Sequence, residues 1–290
     1  CSNGGENVVV NVEPTPVVNN PTDESLCAGA ATTAITFTGT ATSYSWVNDT
    51  PGIGLAASGT GNIASFTALN SGTSPVTATI VVTPHYNGCT GATEDVTITV
   101  NPTPVLSSSL TPAAICSGDT FGYTPTSATG SSSFSWSRAL VSGISEAANA
   151  STGNISETLT NTTSTPINVT YVITTTANSC SNAGQSVVVT VNPTPVLSSS
   201  LTPSAICSGA TFSYTPTSGT TGSSFSWSRA AIAGINGGAG AGPTAGAVSE
   251  VLTNSTAATI AVTYVYTTTA NGCSNGGENV VVNVEPTPVV

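Results

Sequence analysis

Hydrophobic and polar residues alternate in short runs along most of the chain, and clusters of Gly, Asn, Pro and Ser separate these runs. In the clearest runs every second residue is apolar, as at 167–173, at 187–191 and around Trp136. This period of two is typical of half-buried β-strands, and turn clusters about every 8–12 residues are typical of antiparallel sandwiches. No apolar run has the period and length of a helix. The pattern therefore predicts an all-β chain of antiparallel β-sandwiches.

A proline-containing segment recurs along the chain at domain-sized intervals. It reads Val-Asn-Pro-Thr-Pro-Val or Val-Glu-Pro-Thr-Pro-Val and begins at Val12, Val100, Val191 and Val284. The first prolines of the four segments are separated by 88, 91 and 93 residues. A period of this size indicates tandem copies of one domain.

The recurring segment predicts how the chain is divided. Residues 1–18 are identical to residues 273–290, so we expect the chain to be a window on a longer tandem array. We predict the last strand of a preceding repeat at 1–13, three β-sandwich repeats at 14–101, 102–192 and 193–285, and the start of another linker at 286–290.

Two prolines, separated by one threonine, lie in each linker. Proline fixes φ and lacks a backbone N–H, so it ends the preceding strand and keeps the linker extended. Short stiff linkers between sandwiches predict an extended rod. The linker prolines are Pro14, Pro16, Pro102, Pro104, Pro193, Pro195, Pro286 and Pro288.

The seven cysteines recur at two positions of the repeat, one early and one in the turn before the last strand. Cys1 repeats the late position. Such regular cysteines predict disulfides, and a single His argues against structural zinc. We favour pairing within each repeat, because each repeat could then fold alone: Cys27–Cys89, Cys116–Cys180 and Cys207–Cys273. The alternative joins successive repeats through Cys27–Cys180 and Cys116–Cys273.

The charge composition excludes several classes of function. Charged residues make up 5% of the chain, with two Arg, no Lys and a net charge of −11. Nucleic acid is excluded as a partner, because phosphate binding needs clustered Arg and Lys. The second and third repeats contain no His, so they cannot assemble a Ser/His/Asp set, and we predict that the protein is not an enzyme. No apolar run approaches 18 residues, so we predict no membrane span.

Several short motifs together resemble a known family of repeats. They are Ile-Cys-Ser-Gly, Ser-Phe-Ser-Trp, Val-Thr-Tyr-Val, Ala-Asn-Gly-Cys and Val-Asn-Pro-Thr-Pro. This set resembles the PKD-like and Ig-like repeats of giant secreted bacterial surface proteins, which include gliding adhesins and are typical of bacteria with type IX secretion. The resemblance implies tandem Ig-like or PKD-like sandwiches in an extended rod. The first repeat departs from it, because it lacks the Arg after Trp46 and has Ile80 at the strand Tyr.

One strand of every repeat carries a Trp whose strand neighbours alternate with Ser. We expect these residues to fill the cores, with an exposed Trp that stacks on carbohydrate as the alternative: Trp46, Trp136 and Trp227. In the second and third repeats Arg138 and Arg229 follow two residues later. Each Arg could pair with Glu157 or Glu250, lie over an aromatic ring, or lie at a repeat joint. The simpler alternative is an ordinary surface position.

Few residues are candidates for metal binding. His85 is expected to be a solvated loop residue, since no carboxylate or cysteine cluster accompanies it in sequence. The acidic pairs Asp23–Glu24 and Glu94–Asp95 lie near repeat boundaries, where calcium could stiffen a joint. Neither pair recurs in the other repeats. We therefore expect no cofactor, with calcium as the alternative.

Two further features concern the surface. The Gly/Ala-rich segment Gly237–Gly246 is predicted to be a mobile loop. Six Asn-x-Ser/Thr sequons offer sites for glycans, at Asn48, Asn149, Asn154, Asn161, Asn168 and Asn254.

These observations predict the structural repeat region of a long extracellular surface fibre or adhesin. It would act as a stiff, disulfide-stabilised stalk in cell-surface attachment or gliding. Its expected partners are the neighbouring repeats, other copies in a filament, and surface glycans. The alternative is a glycan-binding module, docking through loops such as 143–153, or a spacer array attached to a secreted hydrolase.

Overall fold

The computed structural model describes residues 4–242 and 246–288. Cys1, part of the predicted loop Gly237–Gly246 and the end of the predicted linker 286–290 lie outside the described residues. Regular structure in the described part is β, apart from one 3-10 turn at Pro51–Ile53. The prediction of an all-β chain is confirmed. None of the helical segments in this part is long and apolar enough to cross a membrane.

The first repeat forms one six-stranded sheet. Its strands are β1 (Glu24–Cys27), β2 (Ser43–Asn48), β3 (Ser58–Thr60), β4 (Val76–Tyr86), β5 (Cys89–Thr90) and β6 (Glu94–Asn101). They follow the order β1-β6-β4-β2-β3, and β5 pairs with β4. Residues that pack on this sheet are joined to each other by isolated bridges, such as Ile35 with Ile63.

The second repeat has a main sheet with the same strand order as that of the first repeat, and it also has a separate two-stranded sheet. Its strands are β7 (Ile115–Cys116), β8 (Thr120–Tyr123), β9 (Ser133–Arg138), β10 (Asn149–Thr152), β11 (Ile155–Thr158), β12 (Ile167–Ala177), β13 (Cys180–Ser181) and β14 (Gln185–Asn192). The main sheet has the order β10-β9-β12-β14-β7, and β13 pairs with β12. The second sheet consists of β8 and β11.

The third repeat has the same arrangement as the second. Its strands are β15 (Ile206–Cys207), β16 (Ala210–Tyr214), β17 (Ser224–Arg229), β18 (Gly240–Gly242), β19 (Val248–Leu252), β20 (Ile260–Ala270), β21 (Cys273–Ser274) and β22 (Glu278–Glu285). The main sheet has the order β15-β22-β20-β17-β18, with β21 on β20, and the second sheet consists of β16 and β19.

The first strand of every repeat pairs with the last in parallel, although the sequence predicts antiparallel sandwiches. The remaining pairings within the first and third repeats, as far as the structure describes them, are antiparallel. The parallel register places each early cysteine opposite the last residue before a linker: Cys27 opposite Asn101, Cys116 opposite Asn192 and Cys207 opposite Glu285.

The long central strands supply most of the core. In β4, for example, Ala78, Ile80 and Val82 are fully buried, while Val81 between them is exposed. Burying one Val or Ile side chain contributes about 1.5–3 kcal/mol, and the period of two puts these side chains on one face of the sheet. The same alternation in β12, β20 and the last strands accounts for most of the remaining core residues.

The chain forms two compact units, and each contains one of the two disulfides found among the described residues. The first consists of the described residues up to Ser108 together with Pro125–Ser135 and Ile173–Gln185. The second consists of Ser109–Thr124, Trp136–Val172 and the described residues from Ser186 onward.

Residues 4–13 form no strand, and Val8, Val10 and Val12 are 76–90% exposed. The identical residues at 276–285 include β22, where Val280, Val282 and Val284 are fully buried. In the third repeat β22 pairs with β20 and β15. Strand formation by this sequence therefore depends on the strands beside it.

Candidate functional site

Two disulfides join successive repeats. Cys27 is bonded to Cys180, and Cys116 is bonded to Cys273, with the Cα atoms 5.6 Å apart in each pair. The pairing that we favoured, within each repeat, is therefore wrong, and the alternative pairing is the one that forms. Among the described cysteines, Cys89 and Cys207 are free.

The reason is that the two cysteines of one repeat lie at opposite ends of its last strand. Cys27 is opposite Asn101 at the end of β6, whereas Cys89 precedes the start of β6 at Glu94. A strand of eight residues spans roughly 26 Å. Because a disulfide requires Cα atoms within about 7 Å, Cys27 and Cys89 cannot be bonded in the folded repeat.

The late cysteine is positioned by a tight hairpin just before the last strand, at the end of the folded repeat where the chain enters. Cys180 lies opposite Ala177, after a turn in which Asn178 and Ser179 have positive φ. Gln185, just after this hairpin, accepts a hydrogen bond from the backbone N–H of Leu106 at 2.6 Å. The chain therefore comes into the second repeat beside Cys180, just as it leaves the first repeat beside Cys27.

The joint between the second and third repeats is built in the same way. Glu278 accepts hydrogen bonds from the backbone N–H of Leu197 at 2.8 Å and from the side chain of Asn275 at 2.7 Å. The side chain of Asn192, which precedes the linker, donates to the backbone carbonyl of Asn271 at 3.1 Å. This last contact joins the end of one repeat to the cysteine hairpin of the next.

The disulfides stabilise the folded chain mainly by restricting the unfolded chain. The bonded cysteines are 153 and 157 residues apart. Closing a loop of this length contributes roughly 5 kcal/mol per disulfide through lost chain entropy. Since each bond crosses a linker, this stabilisation applies to the joints as well as to the repeats.

A buried ion pair connects the two sheets of the second repeat. Arg138 on β9 is 2% exposed, and its guanidinium binds both carboxylate oxygens of Glu157 on β11, at 3.0 and 3.2 Å. The same guanidinium donates to the carbonyl of Ala147, and the Tyr171 hydroxyl donates to Glu157 at 2.6 Å. Of the alternatives that the sequence left open for Arg138, the ion pair with Glu157 is confirmed. The prediction of an ordinary surface position is wrong, because the residue is buried.

The third repeat has the equivalent ion pair. Arg229, also 2% exposed, donates to both carboxylate oxygens of Glu250, and the Tyr264 hydroxyl donates to the same carboxylate at 2.6 Å. The side chains involved come from β17, β19 and β20, so the pair again connects the main sheet with the second sheet.

The surroundings of these groups shift their pKa values. Burial by itself raises the pKa of Glu157. Hydrogen bonds from Arg138, Tyr171 and Asn149 together lower this pKa by more than burial raises it, so the net shift is downward. Burial also raises the pKa of Glu250, and hydrogen bonds from Arg229 and Tyr264 bring it below its ordinary value. Both carboxylates are therefore held in the charged form.

The first repeat replaces all three members of this set with uncharged residues. Asn48 stands at the Arg position, is buried, and donates to the carbonyls of Leu55 and Ala56. Ile80 stands at the Tyr position. Phe66 stands at the Glu position, because Phe66 and Glu157 each lie two residues before equivalent carbonyls, those of Ala68 and Leu159. The charged set is thus lost as a whole.

An asparagine that was not predicted from the sequence joins the last strand to a loop in all three repeats, and it is buried in the second and third repeats and half-buried in the first. Asn161 donates from Nδ2 to the carbonyls of Val191 at 2.9 Å and Thr165 at 2.8 Å. Asn70 and Asn254 make equivalent bonds to Val100 and Val284. An Asn at the same place in every repeat was the available signal. Because Asn161 and Asn254 are buried, their sequons are closed to glycans in the folded chain.

The three tryptophans lie at the cores of their repeats. Trp46 and Trp136 are buried, and Trp227 is half-buried and packs on the core of the third repeat. Trp136 and Trp227 make edge contacts with Tyr171 and Tyr264, with ring centroids 5.6 and 5.3 Å apart. Their indole N–H groups, and that of Trp46, have no hydrogen-bond partner within the described ranges.

Three of the residues considered for metal binding make other contacts: Asp23, Glu24 and His85. Glu24 accepts hydrogen bonds from the backbone N–H and the hydroxyl of Thr33. Asp23 accepts the backbone N–H of Thr97, and this bond lowers its pKa. His85 lies on β4 rather than in a loop, and its Nε2 is 2.8 Å from the Ser45 hydroxyl.

Asp23 and Glu24 also line a polar cleft of about 350 Å³ in the first repeat, together with residues 19–22 and 33–36. Within residues 4–242 and 246–288, no group of three or more His, Cys, Asp and Glu side chains is arranged to hold a metal ion. The most developed functional geometry in the described part is therefore that of the two joints.

Comparisons with solved structures find other tandem-domain proteins. A three-domain immunoglobulin fragment of titin aligns with a TM-score of 0.45 and 14% identity, over 96% of this chain and 100% of that one. A three-domain fragment of mouse cadherin-23 aligns with a TM-score of 0.39 and 13% identity, again over 96% and 100%. No curated protein matches the chain.

The comparison with protein families matches the second and third repeats separately, at residues 113–195 and 204–288. Each match begins close to the early cysteine and ends in or near the following linker segment. Since the two matches cover more than half of the sequence, the chain belongs to the PKD-like domain family.

Proposed function

We propose that this chain is the structural repeat region of a long extracellular surface fibre or adhesin. The tandem repeats would form a stiff, disulfide-stabilised stalk that serves cell-surface attachment or gliding, and the repeats themselves would not be catalytic. The observation that carries the proposal is the disulfide across each joint, at Cys27–Cys180 and Cys116–Cys273. A bond at this place stiffens the connection between domains, which a stalk needs and a set of independent domains does not.

Other properties of the chain support an extracellular structural role. Disulfides persist in oxidising surroundings outside the cytosol. The ion pairs Arg138–Glu157 and Arg229–Glu250 are enclosed within single repeats, so the only two Arg residues are not available to bind an anionic partner. The stalk would act through many copies, because weak contacts along a multivalent fibre add up to strong attachment.

The glycan-binding alternative takes second place. Carbohydrate recognition usually uses an exposed aromatic ring, and every aromatic residue in the described ranges is buried or half-buried. Calcium at the pair Asp23–Glu24 is also secondary, because the two carboxylates already accept hydrogen bonds from Thr97 and Thr33. For these reasons the stalk is the function that we propose first.

Immunogold electron microscopy of intact cells tests the proposal, with an antibody against the second and third repeats. We expect label along thin surface fibres many domains long. Label confined to compact particles in the medium would overturn the proposal and favour a spacer attached to a secreted enzyme. Cells treated with antibody that has been pre-absorbed with the purified chain provide the control for background labelling.

A further inference from the structure

Among the cysteines that the structure describes, one early and one late cysteine have no partner. Cys207 lies opposite Glu285 in the same parallel pairing that sets the bonded Cys27 opposite Asn101. It is free and exposed. Cys207 therefore lies beside the segment in which the chain leaves the third repeat, which is where the two bonded early cysteines lie in their own repeats.

Cys89 has the complementary position. It lies in a hairpin opposite Tyr86, as the bonded Cys180 lies opposite Ala177. Gly91, two residues later, lies directly against the backbone carbonyl of Pro16 in the linker that leads into the first repeat. Cys89 is only half-buried, whereas the bonded late cysteines, Cys180 and Cys273, are 2% and 3% exposed.

The sequence indicates which repeat would meet which. Residues 273–290, which end the third repeat and begin its linker, are identical to residues 1–18, which lead into the first repeat. The same linker sequence therefore follows Cys207 and precedes Cys89. If a copy of the first repeat followed the third repeat, Cys207 and Cys89 would lie at the same joint.

We propose that Cys207 and Cys89 form a third inter-repeat disulfide where one copy of this sequence adjoins a second copy. Cys207 comes from the first copy and Cys89 from the second, in the arrangement of Cys27–Cys180 and Cys116–Cys273. The inference rests on the geometry of the joints and extends the proposed stalk by a covalent link between copies. Its failure would leave the cell-surface labelling, and so the stalk itself, unaffected.

The bond forms by thiol–disulfide exchange with a small disulfide such as glutathione disulfide. The Cys207 thiolate attacks one sulfur of glutathione disulfide and releases one glutathione thiolate, which takes up a proton. The Cys89 thiolate then attacks the Cys207 sulfur of the mixed disulfide and releases the second glutathione. Two protein thiols are oxidised to one disulfide, and one glutathione disulfide is reduced to two thiols.

The test uses two proteins, because the second copy can lie on the same polypeptide or on another one. The first protein is the 290-residue chain. The second is a polypeptide carrying two successive copies that share the 18 identical residues. Both carry Cys1→Ser at their first residue, since Cys1 is a further cysteine of unassigned pairing. After oxidation in a glutathione buffer, free thiols are alkylated and disulfide-linked peptides are identified by mass spectrometry.

In the two-copy polypeptide we expect a Cys207–Cys89 peptide across the new joint, while Cys89 of the first copy and Cys207 of the second remain alkylated. In the single chain, a ladder of multimers that reduction collapses, with the same linked peptide, would identify pairing between separate polypeptides. If the single chain forms no such multimers while the two-copy polypeptide forms the bond, the pairing belongs to adjoining copies on one polypeptide.

Single variants keep the proposal falsifiable. Cys89→Ser or Cys207→Ser at the new joint should abolish the linked peptide, while the Cys27–Cys180 and Cys116–Cys273 peptides show that the repeats are folded. Full alkylation of both cysteines at the joint after oxidation, in both proteins, would overturn the proposal. So would linked peptides that join Cys207 to Cys207 or Cys89 to Cys89, because random coupling of exposed thiols yields those pairs.

Discussion

Cys27 is bonded to Cys180 although Cys116, which is bonded to Cys273, lies between them in sequence. The two loops therefore overlap. Two short covalent paths connect Cys27 with Cys273. One runs through the Cys27–Cys180 bond and the backbone from 180 to 273, and the other runs through the backbone from 27 to 116 and the Cys116–Cys273 bond. Each path contains roughly 90 residues of backbone and can bear tension. Either disulfide alone is enough to limit the extension of the chain.

This redundancy predicts an unusual response to pulling. With one or both disulfides present, unfolding extends the span from Cys27 to Cys273 to at most roughly 310 Å, at about 3.5 Å per residue. Without either bond, about 250 residues extend to roughly 860 Å. Single-molecule force spectroscopy should therefore show little change for Cys27→Ser or for Cys116→Ser, and a gain of roughly 550 Å for the double variant. A large gain in either single variant would contradict the overlapping pairing.

Breaking the ion pair of the second repeat should destabilise that repeat strongly. Arg138→Ala leaves the carboxylate of Glu157, whose side chain is only 11% exposed, without its charged partner, and removing one member of a buried pair costs at most about 3–5 kcal/mol. Hydrogen exchange of the amides in β12 measures the effect as a lower free energy of local opening. The amides of β20 are the internal control, because the pair Arg229–Glu250 stays intact. A loss below about 1 kcal/mol, as surface pairs show, would contradict the buried assignment.

Replacing the whole set by the residues of the first repeat should be far better tolerated. The triple variant Arg138→Asn, Glu157→Phe and Tyr171→Ile leaves no buried charge unpaired, and exchange of a buried ion pair for apolar residues is often close to neutral. We expect the triple variant to recover more than half of the stability that Arg138→Asn loses alone, as measured by the same exchange experiment. If the triple variant is less stable than the single one, the three positions do not act as one unit.

Acid should weaken the second and third repeats through the same carboxylates. The pKa of Glu157 is lower in the folded repeat than in the unfolded chain, because the hydrogen bonds from Arg138, Tyr171 and Asn149 outweigh burial. Its stabilising contribution is therefore complete above the ordinary carboxyl pKa of about 4.3 and is lost as the pH falls through the lower folded value. Exchange protection in β12 should fall in this range. In Glu157→Gln most of this pH dependence should disappear from β12 and persist in β20.

Asn161 should contribute more to stability than an exposed sequon asparagine. Asn161→Ala removes the two hydrogen bonds that Nδ2 donates to the carbonyls of Val191 and Thr165 and the two that Oδ1 accepts from Thr163, which costs about 1–3 kcal/mol. Asn154→Ala, at an exposed position, is the matched control and should change stability by less than about 0.5 kcal/mol. The midpoint of urea denaturation measures both variants, and equal midpoints would contradict the structural role of Asn161.

Much of the fold could be predicted from two features of the sequence, the alternation of hydrophobic and polar residues and the recurrence of the proline segment. The period of two around Val169 and Tyr171 is enough to indicate strands, because alternate residues of a strand face one side of a sheet. The regular spacing of the prolines is enough to indicate tandem repeats. The parallel pairing of β1 with β6 had no such local signal, since it joins segments about 70 residues apart.

The site was harder to predict, for a geometric reason. The spacing of Cys27, Cys89 and Cys180 shows that cysteines recur, but a disulfide depends on distance in space, and a strand of eight residues separates the two ends of a repeat. The Arg138–Glu157 pair could be named as one alternative because Glu157 is among the few carboxylates in the second repeat. The burial of this pair could not be predicted from the sequence, because the pair is enclosed where the main sheet and the second sheet pack together.

The sequence by itself determined the β-character of the chain, its division into repeats and the two recurring cysteine positions, because these depend on periodicity. The tertiary structure decided which cysteines pair, where the Arg residues lie and which segments become strands. The residues Glu6–Glu13 and Glu278–Glu285 have the same sequence, yet the first segment is irregular and exposed and the second is a buried strand. A strand gains its hydrogen bonds and buries its valines only against neighbouring strands, so the same eight residues have two structures.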